Sequence, residues 1–211
     1  EVLALLAEIR VGGMIAGKTG FLHIHTGNIP GSFDMYKEIV SRGFPIKHIR
    51  PTHCGRIRHV FDAAVEFAKA GGYMDITTGA SCAFDNPAIA VMTALDADPT
   101  HITLSTDGHG SVPRFNDKGE MVGLGVGGVA GNLTEVKRLI AEFKMPIEKA
   151  ITFISSNVGS ALGLPGQGVI EVGGCANACL FNDAMELTTV VSRNHVMMRN
   201  GEIVQKGTFE Y

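Results

Sequence analysis

Three polar residues have the types and positions that could bind a metal ion. His25 and His53 end stretches with the pattern of a strand, and Asp107 directly follows another. His53 lies 28 residues after His25 and 54 before Asp107, about one and two strand–helix units of ~30 residues. A single histidine so placed is more often an ordinary hydrogen-bonded residue. Because all three share one register at strand ends, we predict a site for zinc or a similar divalent ion.

The elements that must position these residues alternate between strand and helix. Patterns typical of strands occupy residues 20–25, 48–53, 73–77 and 102–106. Amphipathic helices follow them, between Ser32 and Gly43, from about 57 to 70, from Asn86 to Leu95, and from Asn132. The second helix has an apolar stripe of Val60, Phe61, Ala64, Phe67 and Ala68. Four such units form either an open doubly wound sheet or half of a closed barrel, and periodicity does not choose between them.

Asparagines mark several element boundaries. Asn86 followed by Pro87 predicts a helix that begins here, with Asn86 as its N-cap and Pro87 in its first turn. Asn132, with Glu135 three residues later, predicts a capping box. Beyond Pro146 the pattern becomes short helices and turns, and Asn200-Gly201 predicts a tight hairpin within VMMRNGEIV. A small β-rich segment should therefore end the chain.

The composition excludes several classes of protein. With 45% hydrophobic and 18% charged residues among 211, the chain is not a disordered segment, which needs low hydrophobicity and high charge. No apolar run approaches the ~18 residues of a membrane span. A net charge of −3 without a basic run argues against nucleic acid or membrane partners. The four cysteines are too few and scattered for a disulfide scaffold, so we expect a cytoplasmic protein.

Five motifs carry a family resemblance: HIHTGN, PTHCGR, DITTG, STDGHGS and the closing GTFE. In this order they resemble the bacterial isoaspartyl dipeptidases (β-aspartyl peptidases) of the amidohydrolase superfamily. The resemblance implies an α/β fold, the C-terminal half of a (β/α)8 TIM-like barrel. Residues 1–165 would form its strands five to eight, and residues 166–211 a β-rich segment of a flanking β-sandwich.

The resemblance also implies a set of site residues. His25 and His53 would bind zinc, and Asp107 would be both a metal ligand and the catalytic residue. Arg56 would hold the substrate carboxylate, and Ser111 would contact the substrate. The complete site would contain two zinc ions bridged by a carboxylated lysine that is not in this chain.

His23-Ile24-His25 imitates the strand-one ligand pair of the superfamily, but it lies too near Asp107 for strand one. We therefore assign it to strand five, with His23 as a lower-layer residue of the barrel.

The function implied is hydrolysis of β-aspartyl dipeptides by a zinc-activated hydroxide. Glu1 opens a helical stretch without a cap, so we expect a longer protein whose N-terminal half supplies further ligands, and a homo-oligomer. Two alternatives remain. One is another amidohydrolase acting on cyclic amides or N-acyl amino acids; the other is a non-catalytic metal-binding half-barrel.

Two further features receive more ordinary interpretations. Residues 123–128 fit the dinucleotide-binding pattern G-x-G-x-x-G, but no strand directly precedes them, so we interpret them as a flexible active-site loop. Asp75 lies within a predicted strand, where a structural hydrogen bond is the commoner role. Neither feature is expected to define the function.

Overall fold

A computed structural model describes residues 1–118 and 120–207, with nothing described for the Phe115 side chain. The closing GTFE motif therefore lies outside the described residues, apart from Gly207. The chain divides into two compact units, Glu1–Gly163 and Leu164–Tyr211. The first mixes helices with parallel strands, and the second is built from antiparallel strands.

The first unit alternates strand and helix, as predicted. Its elements are α1 (Val2–Ile15), β1 (Leu22–His25), α2 (Asp34–Ser41), β2 (Ile49–Thr52), α3 (Arg58–Lys69), β3 (Met74–Thr77), α4 (Pro87–Ala94), β4 (Ile102–Ser105), β5 (Ser111–Phe115), β6 (Met121–Val126), α5 (Gly131–Ala141), α6 (Ile147–Ala150) and α7 (Ser156–Leu162). The four predicted strands are confirmed within about two residues. None of the helices described is long and apolar enough to cross a membrane.

The four parallel strands are paired two by two. β1 pairs with β2 in a register that sets His25 beside Thr52, and β3 pairs with β4 so that Thr77 lies beside Ser105. Parallel pairing brings the carboxyl ends of each pair to the same side. This arrangement is what places the ends of β1 and β2, and those of β3 and β4, next to each other.

The core of the first unit follows from the apolar stripes of its helices. All five predicted stripe residues of α3 are buried: Val60, Phe61, Ala64, Phe67 and Ala68. The Phe61 ring meets Phe84 edge to face at 4.8 Å between centroids, and Phe67 meets Phe33 in the same way at 5.6 Å. These contacts pack α3 against the segments that precede α4 and α2.

Phe61→Ala is expected to lower the free energy of unfolding by about 3–5 kcal/mol, because a buried aromatic side chain is lost and a cavity remains. Phe61 is 1% exposed. Urea unfolding followed by circular dichroism would measure the change. Met14→Ala is the control, since Met14 is 74% exposed and its truncation should change stability little. A loss below about 1 kcal/mol for Phe61→Ala would contradict the buried contacts.

Of the two predicted asparagine caps, one is confirmed and one is wrong. The Asn86 side chain accepts a hydrogen bond from the Ile89 amide, with Pro87 in the first turn of α4. Asn132 lies inside α5, which begins at Gly131 without a side-chain cap. Its amide group instead accepts from the Thr78 hydroxyl at 2.9 Å and donates to the Leu104 carbonyl at 3.2 Å. Long-range partners replace the local cap.

The second unit is a four-stranded antiparallel sheet. Its strands are β7 (Ala178–Phe181), β8 (Leu187–Ser192), β9 (His195–Arg199) and β10 (Glu202–Ile203), in the order β10-β9-β8-β7. The predicted hairpin is confirmed, since Asn200 and Gly201 connect β9 to β10 with φ of 52° and 81°. Positive φ at both central residues is typical of the tight turn that Asn-Gly favours. That this sheet belongs to a flanking sandwich remains a prediction.

Candidate active site

The strands place the predicted site residues at their carboxyl ends. His25 is the last residue of β1, His53 follows β2 directly, and Asp107 lies two residues beyond β4. In folds built from parallel strands, this end carries the binding and catalytic groups. All three residues therefore lie at or just beyond the carboxyl ends of parallel strands, as the spacing predicts, and their joint role as a site stays a prediction.

His25 and His53 are in direct contact. Nε2 of His53 lies 2.9 Å from Nδ1 of His25, and the ring centroids are 4.8 Å apart. Nδ1 of His53 is also 2.8 Å from the Thr77 hydroxyl, which fixes the orientation of the buried ring. His23 lies on the same face of β1, with its ring 5.7 Å from that of His25. The structure therefore brings the two predicted histidine ligands into contact with each other.

His53 is held neutral by its surroundings. Burial, followed by the nearby Arg56 cation, lowers the pKa of His53 to about 4. At neutral pH its imidazole therefore keeps a free lone pair, which is the form that binds a metal ion. Neutral imidazole nitrogens are among the ligands that zinc prefers, and a zinc ion bound by both rings would replace the present 2.9 Å contact between Nε2 of His53 and Nδ1 of His25. The donor set of His25 and His53 thus fits the metal that the sequence predicts.

Asp107 is paired with Arg56. Nη2 of Arg56 lies 3.7 Å from Oδ2 of Asp107, and the side chains are 28% and 24% exposed. Arg56 is in the turn before α3, where its amide donates to the His53 carbonyl at 3.3 Å. Among residues 1–118 and 120–207, no three His, Cys, Asp or Glu side chains form a cluster arranged to hold a metal. The structure thus joins His25 to His53, and Asp107 to Arg56.

The backbone takes a left-handed conformation at both loop positions of the site. His53 has φ of 63° and Asp107 has φ of 51°, a region that residues other than glycine seldom occupy. Such positions cost roughly 1–3 kcal/mol each and cluster at functional sites, where surrounding structure maintains them. Six other described residues that are not glycine share this conformation, so it shows a constrained main chain at these two loop positions without assigning their role.

Ser111 begins a hairpin that is anchored to the loop of Asp107. It opens β5, which pairs antiparallel with β6 so that Ser111 lies opposite Val126. The Gly127 amide donates to the Gly110 carbonyl, and the Gly110 amide donates to the Asp107 carbonyl, both at 2.9 Å. The predicted substrate contact therefore lies close to the predicted catalytic residue along the chain and in space.

The flexible loop predicted for residues 123–128 is wrong for its first part, because residues 123–126 belong to β6. Gly125 is explained by Arg114 on the opposite strand, since a Cβ there would lie 2.9 Å from Nε of Arg114. The glycine makes room for the arginine side chain across the hairpin. A Cβ at Gly127 would likewise lie 2.6 Å from the Asp107 carbonyl oxygen, whereas Gly123 and Gly128 have open space at that position, so close packing explains two of the four glycines.

Thr77 contacts a candidate site residue, and the sequence analysis did not predict this contact. It ends β3, and its hydroxyl bonds the His53 ring. The available signal was its spacing from Asp75, because residues two apart in a strand share one face. Asp75 and Thr77 are two polar residues on one face of β3, and this pattern would have suggested that Thr77 bonds a side chain of the neighbouring strands.

Comparison with known proteins gives a family relationship. No protein-family profile matches the chain. The crystal structure of the β-aspartyl dipeptidase of the thermophilic, keratin-degrading Fervidobacterium islandicum AW-1, in complex with a β-Asp-Leu dipeptide, superposes with a TM-score of 0.88. The two sequences are 31% identical, over 99% of this chain and 56% of that one. The chain is related to the β-aspartyl dipeptidases. This relationship confirms the predicted resemblance.

More distant structures share only the fold with this relative of the β-aspartyl dipeptidases. N-acetylglucosamine-6-phosphate deacetylase from Pasteurella multocida has a TM-score of 0.62 at 13% identity, over 92% of this chain and 54% of its own. Atrazine chlorohydrolase TrzN from Arthrobacter aurescens TC1, solved with zinc, has a TM-score of 0.56 at 15% identity, over 97% and 49%. The chain spans about half the length of these proteins, as it does of the β-aspartyl dipeptidase.

Proposed function

We propose that the chain is the part of a β-aspartyl dipeptidase that carries barrel strands five to eight, and that the complete enzyme hydrolyses β-aspartyl dipeptides. The observation that carries the proposal is the likeness to a β-aspartyl dipeptidase bound to β-Asp-Leu, at 31% identity over 99% of this chain. Two contacts in the candidate active site also support the proposal: that of His25 with His53, and that of Arg56 with Asp107.

His25, His53 and Asp107 are the residues that would hold zinc in this chain. Bound zinc supplies a nucleophile at neutral pH, because coordination lowers the pKa of water to about 7. Asp107 would accept the proton of that water and pass it to the departing amine, which places one carboxylate in two successive proton transfers. A second zinc ion, the bridging carboxylated lysine and the remaining histidines are proposed to involve the N-terminal half of the enzyme.

Arg56 and Ser111 would bind the substrate. A guanidinium group binds a carboxylate through two parallel hydrogen bonds, and Arg56 already lies within 3.7 Å of a carboxylate oxygen, that of Asp107. Ser111, at the start of β5, would add a hydroxyl contact beside the same loop. These two residues would orient the dipeptide with its scissile bond near Asp107.

An N-terminal half is proposed as the partner that completes the barrel. Among the described residues, β1 pairs with β2 alone and β4 with β3 alone, so one edge of each strand is open to pairing. A (β/α)8 barrel closes only when eight strands pair in sequence. The same open edges and the exposed apolar residues of α1 favour assembly, so a homo-oligomer is proposed as well.

A substrate panel tests the proposal. The complete enzyme would be loaded with zinc and assayed against β-Asp-Leu, α-Asp-Leu, an N-acetyl amino acid and a cyclic amide. We expect cleavage of β-Asp-Leu and little or none of the other three. Preferential turnover of the N-acetyl amino acid or the cyclic amide would assign the chain to another amidohydrolase activity. No turnover by a zinc-loaded enzyme would indicate a non-catalytic metal-binding protein.

Arg56→Lys is expected to raise KM for β-Asp-Leu by about 10-fold or more, because lysine keeps the charge but not the two-pronged hydrogen bonding. Steady-state kinetics and zinc content by mass spectrometry would measure the effect. Arg42→Lys is the matched control, since Arg42 pairs with Glu38 on the exposed surface of α2. If Arg56→Lys lost zinc instead of substrate affinity, Arg56 would be structural and the substrate assignment would weaken.

A further inference from the structure

Asp75, in the middle of β3, accepts hydrogen bonds from hydroxyl groups on both neighbouring strands. The Thr52 hydroxyl of β2 donates to Oδ2 at 2.6 Å, and the Thr103 hydroxyl of β4 donates to Oδ1 at 2.7 Å. The Ser105 hydroxyl of β4 donates a third, short hydrogen bond to Oδ2. Because β2 pairs with β1, and β3 with β4, the bond to Thr52 crosses from one pair of strands to the other.

The donors lie next to the candidate site residues in the chain. Thr52 immediately precedes His53, and Ser105 comes two residues before Asp107. The backbone adds to the same link, since the Cys54 amide donates to the Asp75 carbonyl at 2.9 Å. One carboxylate therefore connects the segment that leads to His53 with the segment that leads to Asp107.

The Asp75 carboxylate forms no ion pair with any described residue. It borders a cavity of about 240 Å³ that His23 and Arg50 also line. Burial raises the pKa of the Asp75 carboxyl, and the hydrogen bonds from Ser105, Thr52 and Thr103 oppose that rise. An unpaired carboxylate in such a place is costly, and a fully bonded polar network repays that cost by fixing a unique geometry.

We propose that Asp75 is a positioning residue that fixes His53 and Asp107 relative to one another, through Thr52 on one side and Ser105 on the other. The inference rests on the proposed function, which makes these two residues metal ligands and Asp107 the proton acceptor. Both residues have left-handed backbone conformations, which persist only where the surrounding structure holds them. Arg56 contacts both residues directly, and the Asp75 network adds a second link, through the residue before His53 and the residue two before Asp107.

The test compares variants that remove the network with variants that keep it. Asp75→Asn removes the charge at nearly constant shape, Thr52→Val removes one donor, and Thr52→Ser restores it. Asp62→Asn, in an exposed pair with Arg58, is the carboxylate control. For each variant of the complete enzyme we would measure the dissociation constants of Zn²⁺ and Co²⁺, the visible spectrum with Co²⁺, and the thermal midpoint.

We expect Asp75→Asn and Thr52→Val to weaken Zn²⁺ and Co²⁺ binding 10–100-fold and to shift the Co²⁺ bands, as the loss of residues that orient metal ligands does. Thr52→Ser and Asp62→Asn should match the wild type. Lower thermal midpoints with wild-type metal affinity and spectrum would overturn the inference and leave Asp75 a structural residue only. If Asp75→Asn failed to fold, the comparison of Thr52→Val with Thr52→Ser would decide in the same way.

A wild-type complete enzyme that takes up neither ion would count against the proposed metal site, and a metal-free measurement then decides the positioning role. Hydrogen exchange would be followed in residues 51–56 and 105–110. Faster exchange in both segments for Asp75→Asn, but only in the first for Thr52→Val, supports the inference. Unchanged exchange in both segments overturns it.

Discussion

Asp107→Asn is expected to lower kcat of the proposed complete enzyme by ~10²–10⁴-fold, the usual contribution of a general acid–base group. The amide has nearly the shape of the carboxylate but accepts no proton at neutral pH. Loss of a charged metal ligand would add to the effect. The measurement is steady-state turnover of β-Asp-Leu at matched zinc content.

The control for Asp107→Asn is Asp62→Asn, which removes an exposed carboxylate of α3 and should leave kcat unchanged. The pairing of Asp107 with Arg56 at 3.7 Å gives a second check. Because Arg56 is the proposed substrate ligand, the loss of this pairing should also change KM for β-Asp-Leu. Near-wild-type turnover in a zinc-loaded Asp107→Asn enzyme would remove Asp107 from the mechanism.

The 211-residue chain by itself is expected to hydrolyse no measurable β-Asp-Leu. His25, His53 and Asp107 would supply three ligands, fewer than two zinc ions need. The open edges of β1 and β4 should also make the isolated chain associate. Zinc per chain, sedimentation and hydrolysis would be measured on residues 1–211, with and without a co-expressed N-terminal half. A soluble monomer that binds two zinc ions and turns over substrate would falsify both the partner proposal and the barrel assignment.

Much of the first unit was predictable because its signals are local or periodic. The stripe of α3 repeats with the helical period, so Phe61 and its neighbours on that face could be assigned to the core. Asn86 caps α4 by accepting a hydrogen bond from the amide of Ile89, which is only three residues away, so the sequence alone shows both partners. Asn132 has the same local pattern, but partners at Thr78 and Leu104 determine its role, and only the fold brings them near.

The site divides in the same way. The spacing of strand ends predicted that His25 and His53 share an edge, because strand–helix units have a nearly fixed length. The pairing of Arg56 with Asp107 was not predicted, since each had been assigned to a different ligand. The hairpin of β5 and β6 was missed because its glycines depress strand propensity, while the arginine that explains Gly125 lies across the hairpin.

The left-handed backbone at His53 and Asp107 determines which replacements are informative in mutagenesis. Alanine or a β-branched residue there would remove the side chain and also strain the main chain, so lost activity and lost folding would be confounded. Asparagine and glycine tolerate positive φ. In a saturation screen, the asparagine and glycine variants at positions 53 and 107 should therefore keep the abundance of a folded protein while losing activity.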